Sequence, residues 1–428
     1  MNRILAMLAL GCAAFAHDGG TSNVAPRKLA YLLPNLFGPG GFVLPNPDHA
    51  AHFSNAFQSN FGPLMSSVTN QLTTVPLPSP ASGFLYSFDT TLGVYTRTGQ
   101  SFGPIFAERA ETIGKNKFFA GVAYQHYNFD HIDGIDMKKL NAVFEHQPAA
   151  NILFQRDVIT TQTQLDIQVG QTVAYFTYGL HDRVDVSVAL PMVTASIDAL
   201  SDAQIQRIGT GTDGSVHFFD TTVGDRSRAQ FAASGTAQGI GDVTVRLKAT
   251  ALRFKSAGVA VGFDARMPTG DELNLLGSGT YGMRPFIAIS GRKGNLSPHV
   301  NFAYQWNGQS YLAGNVVTGT TGNLTDQLQY AAGFDLGVTP KFTLAMDYLG
   351  IQQLNGKKVE RTRFTAFNGA TFDQSTVRDA RVNQHAAAVG FKVNPIRELL
   401  VSFNLLFALN DAGLRDRVSP LIGVAYTF

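Results

Sequence analysis

The last ten residues of the chain, SPLIGVAYTF (419–428), carry an alternating pattern. Residues two apart in a β-strand lie on the same face of the sheet. The apolar and aromatic face carries Ile422, Val424, Tyr426 and Phe428. The opposite face carries Leu421, Gly423, Ala425 and Thr427, which are small or mixed in character. The stretch therefore predicts a strand that ends in an aromatic residue, with no polar tail after it.

The same alternation recurs along the chain in segments of about ten residues, the length that a tilted strand needs to cross a membrane. The clearest examples are DVTVRLKATALRF (242–254), VAVGFDARMP (259–268), SPHVNFAYQWNG (297–308), QLQYAAGFDLG (327–337) and ELLVSFNLLFALN (398–410). A half-buried strand of a soluble protein gives the same pattern when it occurs once. Its repetition favours an all-β fold, a transmembrane antiparallel β-barrel whose last strand pairs with its first.

The composition agrees with this interpretation. Charged residues make up 15% of the 428 residues, whereas soluble domains carry about 25%. The chain contains 43 glycines and 32 phenylalanines, and its formal net charge is +2. It has no basic run with interleaved aromatic residues, so we expect no nucleic-acid partner.

The N-terminus, MNRILAMLALGCAAFA (1–16), is predicted to be a secretory signal peptide. Arg3 precedes an apolar run, and Ala14-Phe15-Ala16 is a small-x-small cleavage site. A membrane anchor is disfavoured because the run is too short. Lipoprotein processing at Cys12 fits the flanking residues less well. Cys12 is the only cysteine and leaves with the signal, so we expect neither disulfides nor thiol chemistry.

The connections predict how the barrel is built. Short turns (LHDR, KSAG, GRKGN, TPK and NPIR) alternate with longer stretches near 199–239, 269–281, 309–326 and 354–381, as short periplasmic turns alternate with outer loops. About twelve long strands follow residue 117. The short pair GFLYSFD and GVYTRT could raise the number to about fourteen.

Three regions follow from this pattern: a signal peptide (1–16), an N-terminal region (17–116) and a transmembrane β-barrel (117–428). The N-terminal region is rich in Pro and Gly and shows no sustained alternation. Its short apolar pieces favour a plug or hatch inside the barrel, with a short hairpin. A loose periplasmic extension is the alternative.

Three stretches carry a resemblance: SFGPIFAERAETIGKNKFFAGVAYQHYNFDHIDG (101–134), GIGDVTVRLKATALRF (239–254) and DARMPTGD (264–271). They resemble the outer-membrane family associated with the phenol meta-degradation pathway, which is similar in architecture to outer-membrane transporters of fatty acids and aromatic hydrocarbons. The resemblance implies a barrel that transports hydrophobic or aromatic compounds passively. The Asn-Pro-Ala hatch motif of the fatty-acid transporters is missing, so their binding residues are not carried over.

The sequence gives little support for catalysis or for a cofactor. His52-Phe53-Ser54 is the only His-x-Ser, and it lies outside the predicted strands, where a lipase-type pair is not expected. His49 and His52 have a spacing that a metal could use, but no third ligand is near in the sequence, which favours a polar surface. No phosphate-binding loop is present. We therefore expect no enzyme activity, no cofactor and no metal.

Polar residues on the inward faces of the predicted strands are the candidate lumen-lining residues. They are Asp242, Arg246, Lys248, Asp264, Arg266, His299 and Asn301. A charged lining could select a solute, but the near balance of signs favours ion pairs that stiffen the wall. Similarly, Glu108, Arg109 and Glu111 could either clamp the plug or be solvated in a periplasmic turn.

We expect an integral protein of the bacterial outer membrane that takes up small hydrophobic or aromatic solutes passively. Its partners would be that solute, outer-membrane lipid, lipopolysaccharide and the barrel-assembly machinery, with Phe428 as the barrel-closing aromatic. The alternative is a structural or surface-interaction barrel without specific transport.

Overall fold

The fold is seen in a computed structural model that describes residues 28–38, 41–53, 63–64, 66–72, 75–79, 86–89, 94–97, 101–147, 156–208, 216–220 and 227–428. The predicted signal peptide lies outside these residues. Within them, no helix is long and apolar enough to cross a membrane.

Twelve antiparallel strands form a closed barrel in which every strand pairs with its neighbours in the chain. We number them β1 (Phe118–Phe129), β2 (Val158–His181), β3 (Val184–Gln206), β4 (Thr244–Arg253), β5 (Ala257–Arg266), β6 (Gly282–Gly291), β7 (Leu296–Asn307), β8 (Gln327–Thr339), β9 (Phe342–Thr365), β10 (Thr371–Val393), β11 (Leu399–Ala408) and β12 (Val418–Thr427). The predicted transmembrane-type barrel is confirmed.

The barrel closes between its last and first strands, as predicted. Leu421 to Thr427 of β12 pair with residues of β1 from Gln125 back to Phe119. Beyond the strand, Phe428 N donates to Phe118 O at 2.7 Å, and the two aromatic rings lie 5.8 Å apart. Closure leaves neither strand with an open edge, which is a requirement inside a membrane. The role of Phe428 in assembly stays a prediction.

The barrel has twelve strands rather than fourteen. The hairpin that could have added two strands, Tyr86–Asp89 with Val94–Arg97, forms a separate two-stranded sheet. The remaining strands outside the barrel wall are His131–Ile132, Ile135–Asp136, Leu140–Glu145, Arg228–Ile240, Gln309–Asn315, Thr320–Asn323 and Leu414–Arg415. Leu140–Glu145 pairs with the beginning of β2, and Arg228–Ile240 pairs with the second half of β3.

The stretch 354–381, expected to be a long outer loop, mostly continues strands β9 and β10. Lys357 pairs with Asp379, and the ladder runs on to Thr365 opposite Thr371. Most side chains on both faces of this hairpin are polar or charged, although Val359 is buried in the main core cluster and Ala366 in a smaller one. Elsewhere, short helical pieces occur at Leu29–Tyr31, Met137–Lys139 and Glu272–Asn274 (3₁₀), and residues 63–64 and 66–72 are α-helical.

The outer surface of the wall is apolar, as the alternation predicts. On β7, Val300, Phe302 and Trp306 are exposed, whereas Ala303 is buried. The same outward exposure is found on other strands at Val122, Phe176, Met192, Leu247, Val261, Ile287, Leu328, Leu344, Val389, Val401 and Ile422. A continuous belt of this kind is the lipid-facing surface of an outer-membrane-type barrel.

The hydrophobic core lies inside the barrel. Its largest cluster joins apolar residues of the N-terminal region with inward side chains of the wall. From the N-terminal region come Leu29, Leu33, Phe37, Phe42, Phe53, Val68 and Ile105; from β2 and β3 come Ile159, Leu165, Ile167, Val193 and Ile197. The irregular apolar pieces of the N-terminal region are therefore buried against the wall. The division of the chain at residue 116 stays a prediction.

Because the apolar belt contacts lipid, a charge on the outer face of β7 should lower the free energy of unfolding, and more so near the middle of the membrane than near its surface. Phe302→Arg places a cation on the outer face near the middle of the strand and should destabilise the barrel by about 2–4 kcal/mol. Trp306→Arg, on the same face near the strand end, should cost about 0–1 kcal/mol. Reversible urea unfolding in lipid vesicles measures both free energies. A larger cost at Trp306 than at Phe302 would contradict the assigned depth.

Candidate functional site

Residues 101–116 run across the lumen near the end of the barrel that carries the short turns, and they bond to strands on several sides. Phe102 N donates to Thr343 Oγ1 on β9, and Ala110 N donates to Ser290 Oγ on β6. On another side, Ile113 N donates to the carboxylate of Asp185 on β3 at 3.1 Å. We call residues 101–116 the lumenal segment.

The centre of the site is a network of paired charges. Arg246 of β4 donates to Glu108 of the lumenal segment and, through Nε at 2.7 Å and Nη2 at 2.8 Å, to both carboxylate oxygens of Asp264 on β5. Arg284 of β6 donates to the same Asp264 through Nε at 2.9 Å. Ser79 Oγ adds a bond to Glu108 at 2.6 Å. Two arginines and two carboxylates thus neutralise one another inside the barrel.

Lys248 and Asn301 hold the backbone of the same segment. Lys248 Nζ donates to Glu111 O at 3.0 Å and lies 3.5 Å from the Glu108 carboxylate. Asn301 donates through Nδ2 to Glu108 O at 2.8 Å and accepts from Glu108 N through Oδ1 at 2.5 Å. Glu108 is thereby fixed by its backbone and by its side chain.

A second charged centre surrounds Asp347 on β9. Its Oδ2 accepts three backbone N–H groups, from Ile105 at 2.9 Å, Phe106 at 2.7 Å and Ala107 at 3.0 Å. Its Oδ1 lies 2.9 Å from Nε2 of His299. Three successive N–H groups around one oxygen make a tight anion site, so Asp347 shapes the turn of the lumenal segment.

Asp242 and Arg266 lie further toward the long loops. Asp242 accepts hydrogen bonds from Gly270 N and Ser278 N, and Arg266 Nε lies 3.6 Å from its carboxylate. Arg266 also donates to Asn307 at 2.8 Å.

All seven sequence-predicted residues are thus inside the barrel. The structure brings Arg246 and Asp264 together, joins Lys248 and Asn301 to Glu108, pairs Asp242 with Arg266, and places His299 separately beside Asp347. Whether they select a solute stays a prediction. Arg284, Asp347 and Asp185 were not among the sequence-based candidates. Each interrupts an otherwise uncharged, alternating run of its strand, which is the signal that could have found them.

Burial would raise the pKa of the Glu108 carboxyl, but Arg246, Lys248 and the Ser79 hydroxyl together bring it below its ordinary value. Burial lowers the pKa of the Arg109 guanidinium. A lowered carboxyl pKa means that the bonds to Glu108 stabilise the fold at neutral pH, and that this contribution is lost as the pH falls through the lowered value.

A cavity of about 270 Å³ lies beside this network. Its apolar lining includes Leu72, Val75, Leu77, Phe106, Leu276, Leu312 and Leu349. Its charged lining consists of Glu108, Asp242, Arg246, Asp264, Arg266 and Arg284. The ring of Phe286 lies over Gly262, where a Cβ would be 2.2 Å from it, and its centroid is 5.1 Å from the Arg246 guanidinium.

A group of four histidines lies at the opposite end of the barrel, beside the long loops. His49 and His52 lie close to His146, which follows Leu140–Glu145, and to His217. The sequence offered no third ligand near the first two residues, because the other histidines are about a hundred or more residues away along the chain. Burial is the main cause that lowers the pKa of both His49 and His52, and the nearby His217 adds to it.

The wall is closed and has twelve strands, its outer face is an apolar belt, and the lumen is filled and contains paired charges. These features define a barrel of the outer-membrane type. The family model described as "Putative MetA-pathway of phenol degradation" matches residues 155–375, more than half of the chain. The protein belongs to this family, as the resemblance implied. The matched range includes the stretches 239–254 and 264–271 but not 101–134. The family and the fold mark the protein as a membrane barrel and not an enzyme.

Solved structures with related folds are distant. An outer membrane channel from Pseudomonas putida F1 is 13% identical, with a TM-score of 0.43, and the match covers 74% of this chain and 98% of that one. The CymD monoaromatic hydrocarbon channel is 10% identical, with a TM-score of 0.36 and coverages of 73% and 88%. A FadL homologue from Pseudomonas aeruginosa is 8% identical, with a TM-score of 0.31 and coverages of 73% and 89%. No curated protein matches the chain.

Because the charge network holds the lumenal segment against the wall, removal of the Glu108 carboxylate should detach this segment. Glu108→Ala leaves Arg246 partly uncompensated in a buried place and should cost about 3–5 kcal/mol of stability. Limited trypsin digestion should then cleave within residues 101–116. The matched control is Glu360→Ala, which breaks the exposed ion pair with Arg378 and should change neither unfolding nor cleavage. Equal effects of the two substitutions would contradict a role for the network.

Proposed function

We propose that the protein is a channel of the bacterial outer membrane for the passive uptake of small, uncharged aromatic compounds. The observation that carries the proposal is the cavity between the N-terminal region and the barrel wall. Its lining combines apolar side chains with paired charges. A ligand site typically combines a mainly apolar lining with a few placed polar groups.

The size of the cavity favours a single ring. An apolar cavity of about 150 Å³ is enough to bind benzene, and sites for drug-sized ligands start near 300 Å³. At about 270 Å³, the cavity suits one aromatic ring with a small substituent better than a long fatty-acid chain.

The charge of the lining favours a neutral solute. Three arginines (Arg246, Arg266 and Arg284) face three acidic residues (Glu108, Asp242 and Asp264), and most of these groups pair with one another. An ionised solute would have to compete with these pairs. A phenol-type hydroxyl can instead exchange one hydrogen bond with the Gln329 or Asn301 amides, which also line the cavity.

The proposed mechanism is passive movement across the outer membrane. Apolar solutes cross the lipopolysaccharide layer poorly, so a protein path through it is useful. Passive movement down a gradient is the simplest mechanism, because no energy-coupling motif is apparent in the N-terminal stretch of the sequence. Lipopolysaccharide, outer-membrane lipid and the barrel-assembly machinery are the partners that such a barrel requires.

Uptake by whole cells tests the proposal. Cells with and without the protein are given labelled phenol, labelled toluene and a labelled long-chain fatty acid at low concentration. We expect faster uptake of the two single-ring compounds when the protein is present and little change for the fatty acid. Equal uptake of all three in both strains would favour the structural or surface-interaction barrel instead.

Two substitutions at adjacent positions make the test specific to the cavity. Ala331 of β8 is buried and lines the cavity, whereas Ala332 is exposed on the outer face. Ala331→Trp fills the space and should slow uptake about tenfold, while Ala332→Trp should leave uptake unchanged. Both barrels must reach the outer membrane in equal amounts, judged by heat-modifiable migration on gels. Normal uptake with a folded Ala331→Trp barrel would exclude this cavity as the path.

A further inference from the structure

Four histidines from three separate parts of the chain come together near the long loops. His49 and His52 belong to the N-terminal region, His146 follows the strand Leu140–Glu145, and His217 lies between β3 and Arg228–Ile240. One ring nitrogen from each lies within 4.8 Å of the others. Gln147 N donates a hydrogen bond to His52 O at 2.7 Å. This bond holds the N-terminal residues against this end of the barrel.

His217 is positioned like a metal ligand. Its side chain is fully buried, and its Nδ1 lies 2.9 Å from the Asp157 carboxylate. Asp157 is itself fixed by Ile208 N, which donates to it at 3.0 Å. Nε2 of His217 has no hydrogen-bond partner among the described residues. A carboxylate on one ring nitrogen, with the other nitrogen directed to a cation, is the usual arrangement around metal-bound histidine.

The spacing fits one small ion. A zinc–nitrogen bond is about 2.0–2.1 Å, so ligand nitrogens of a tetrahedral site lie about 3.4 Å apart. Nδ1 of His49 and Nδ1 of His52 are already 3.1 Å apart. Both side chains are partly exposed, so small ring rotations can bring them toward the two buried histidines. The ring of Phe53, 5.4 Å from His146 and 5.3 Å from His217, shields one side of the group.

The donor set selects the class of ion. Four imidazoles suit zinc, copper or nickel, whereas calcium and magnesium require oxygen ligands. We propose that His49, His52, His146 and His217 bind one divalent transition-metal ion, Zn²⁺ in a tetrahedral site, which joins the N-terminal region to the barrel wall. Asp157 is a positioning residue that orients His217. The site is separate from the cavity and from the charge network, and the proposal does not depend on the transported solute.

The binding test uses the full-length mature protein in detergent, purified with a tag that contains no histidine and stripped with a chelator. Zn²⁺ is titrated against a chromogenic chelator, and bound metal is measured by mass spectrometry. We expect one Zn²⁺ per chain with sub-micromolar affinity. Co²⁺ in its place should show the intense visible absorption of a tetrahedral ion. No binding at micromolar Zn²⁺, or an octahedral Co²⁺ spectrum, would overturn the proposal.

Variants assign the ligands. The double variant His49→Gln/His52→Gln changes two partly exposed residues and should weaken Zn²⁺ binding more than about 100-fold, while Asp157→Asn should weaken it about 10–100-fold. His181→Gln, at the end of β2 and far from the group, is the control and should bind normally. Heat-modifiable migration shows that each barrel is folded. Unchanged affinity in a folded double variant would overturn the assignment.

Amide hydrogen exchange tests separately whether Zn²⁺ joins the N-terminal region to the barrel wall. Zn²⁺ should slow amide hydrogen exchange in residues 41–53 of the wild-type protein, and it should have no such effect in the double variant. Equal exchange with and without bound Zn²⁺ would show that the ion does not join the N-terminal region to the wall, which would overturn that part of the proposal.

Discussion

Charged side chains inside a closed barrel need partners of opposite charge or hydrogen-bond donors, because burying an unpaired charge is costly. This requirement connects the lumenal segment to the wall. Glu108 meets Arg246 and Lys248, and Asp347 accepts three successive backbone N–H groups of residues 105–107. Without the segment, Arg246 and Lys248 would lose Glu108, and Asp347 would lose three backbone donors. Without the wall, the charged and polar groups of the segment would lose the same bonds.

The same arrangement explains why the core is inside the barrel. The outer face of the wall contacts lipid, so the protein's own apolar core has to form on the inner face. There the apolar residues of the N-terminal region pack against the inward residues of β2 and β3. The apolar packing and the ionic network adjoin each other in the lumen, since Ile105 belongs to the core cluster and donates to Asp347. The cavity is lined by both apolar groups and paired charges. The proposed function depends on this mixed lining.

Alternation of side chains was enough to predict the barrel, its twelve long strands and its apolar outer face, since a period of two is a local property of the backbone. It also placed Arg246, Asp264 and Asn301 inside. It did not reveal which charges meet, because Glu108 lies in an irregular segment whose path depends on the whole lumen. The 354–381 hairpin was mistaken for a loop because its strands are mostly polar on both faces. The fold brings together four histidines that are separated by up to about 170 positions in the chain, which no local pattern can show.

Residues 101–116 lie inside the barrel, and a disulfide between this segment and the wall tests their position most directly. Ser101 Oγ and Ser297 Oγ are 3.3 Å apart, and the only cysteine of the sequence, Cys12, lies in the predicted signal peptide. Ser101→Cys with Ser297→Cys should cross-link in intact membranes under a mild oxidant. The control pair of Ser101→Cys with Val300→Cys, which is on the lipid face, should not. Failure of the first pair to cross-link in a folded barrel, or equal cross-linking of both pairs, would show that the segment does not lie against the inner face of the wall.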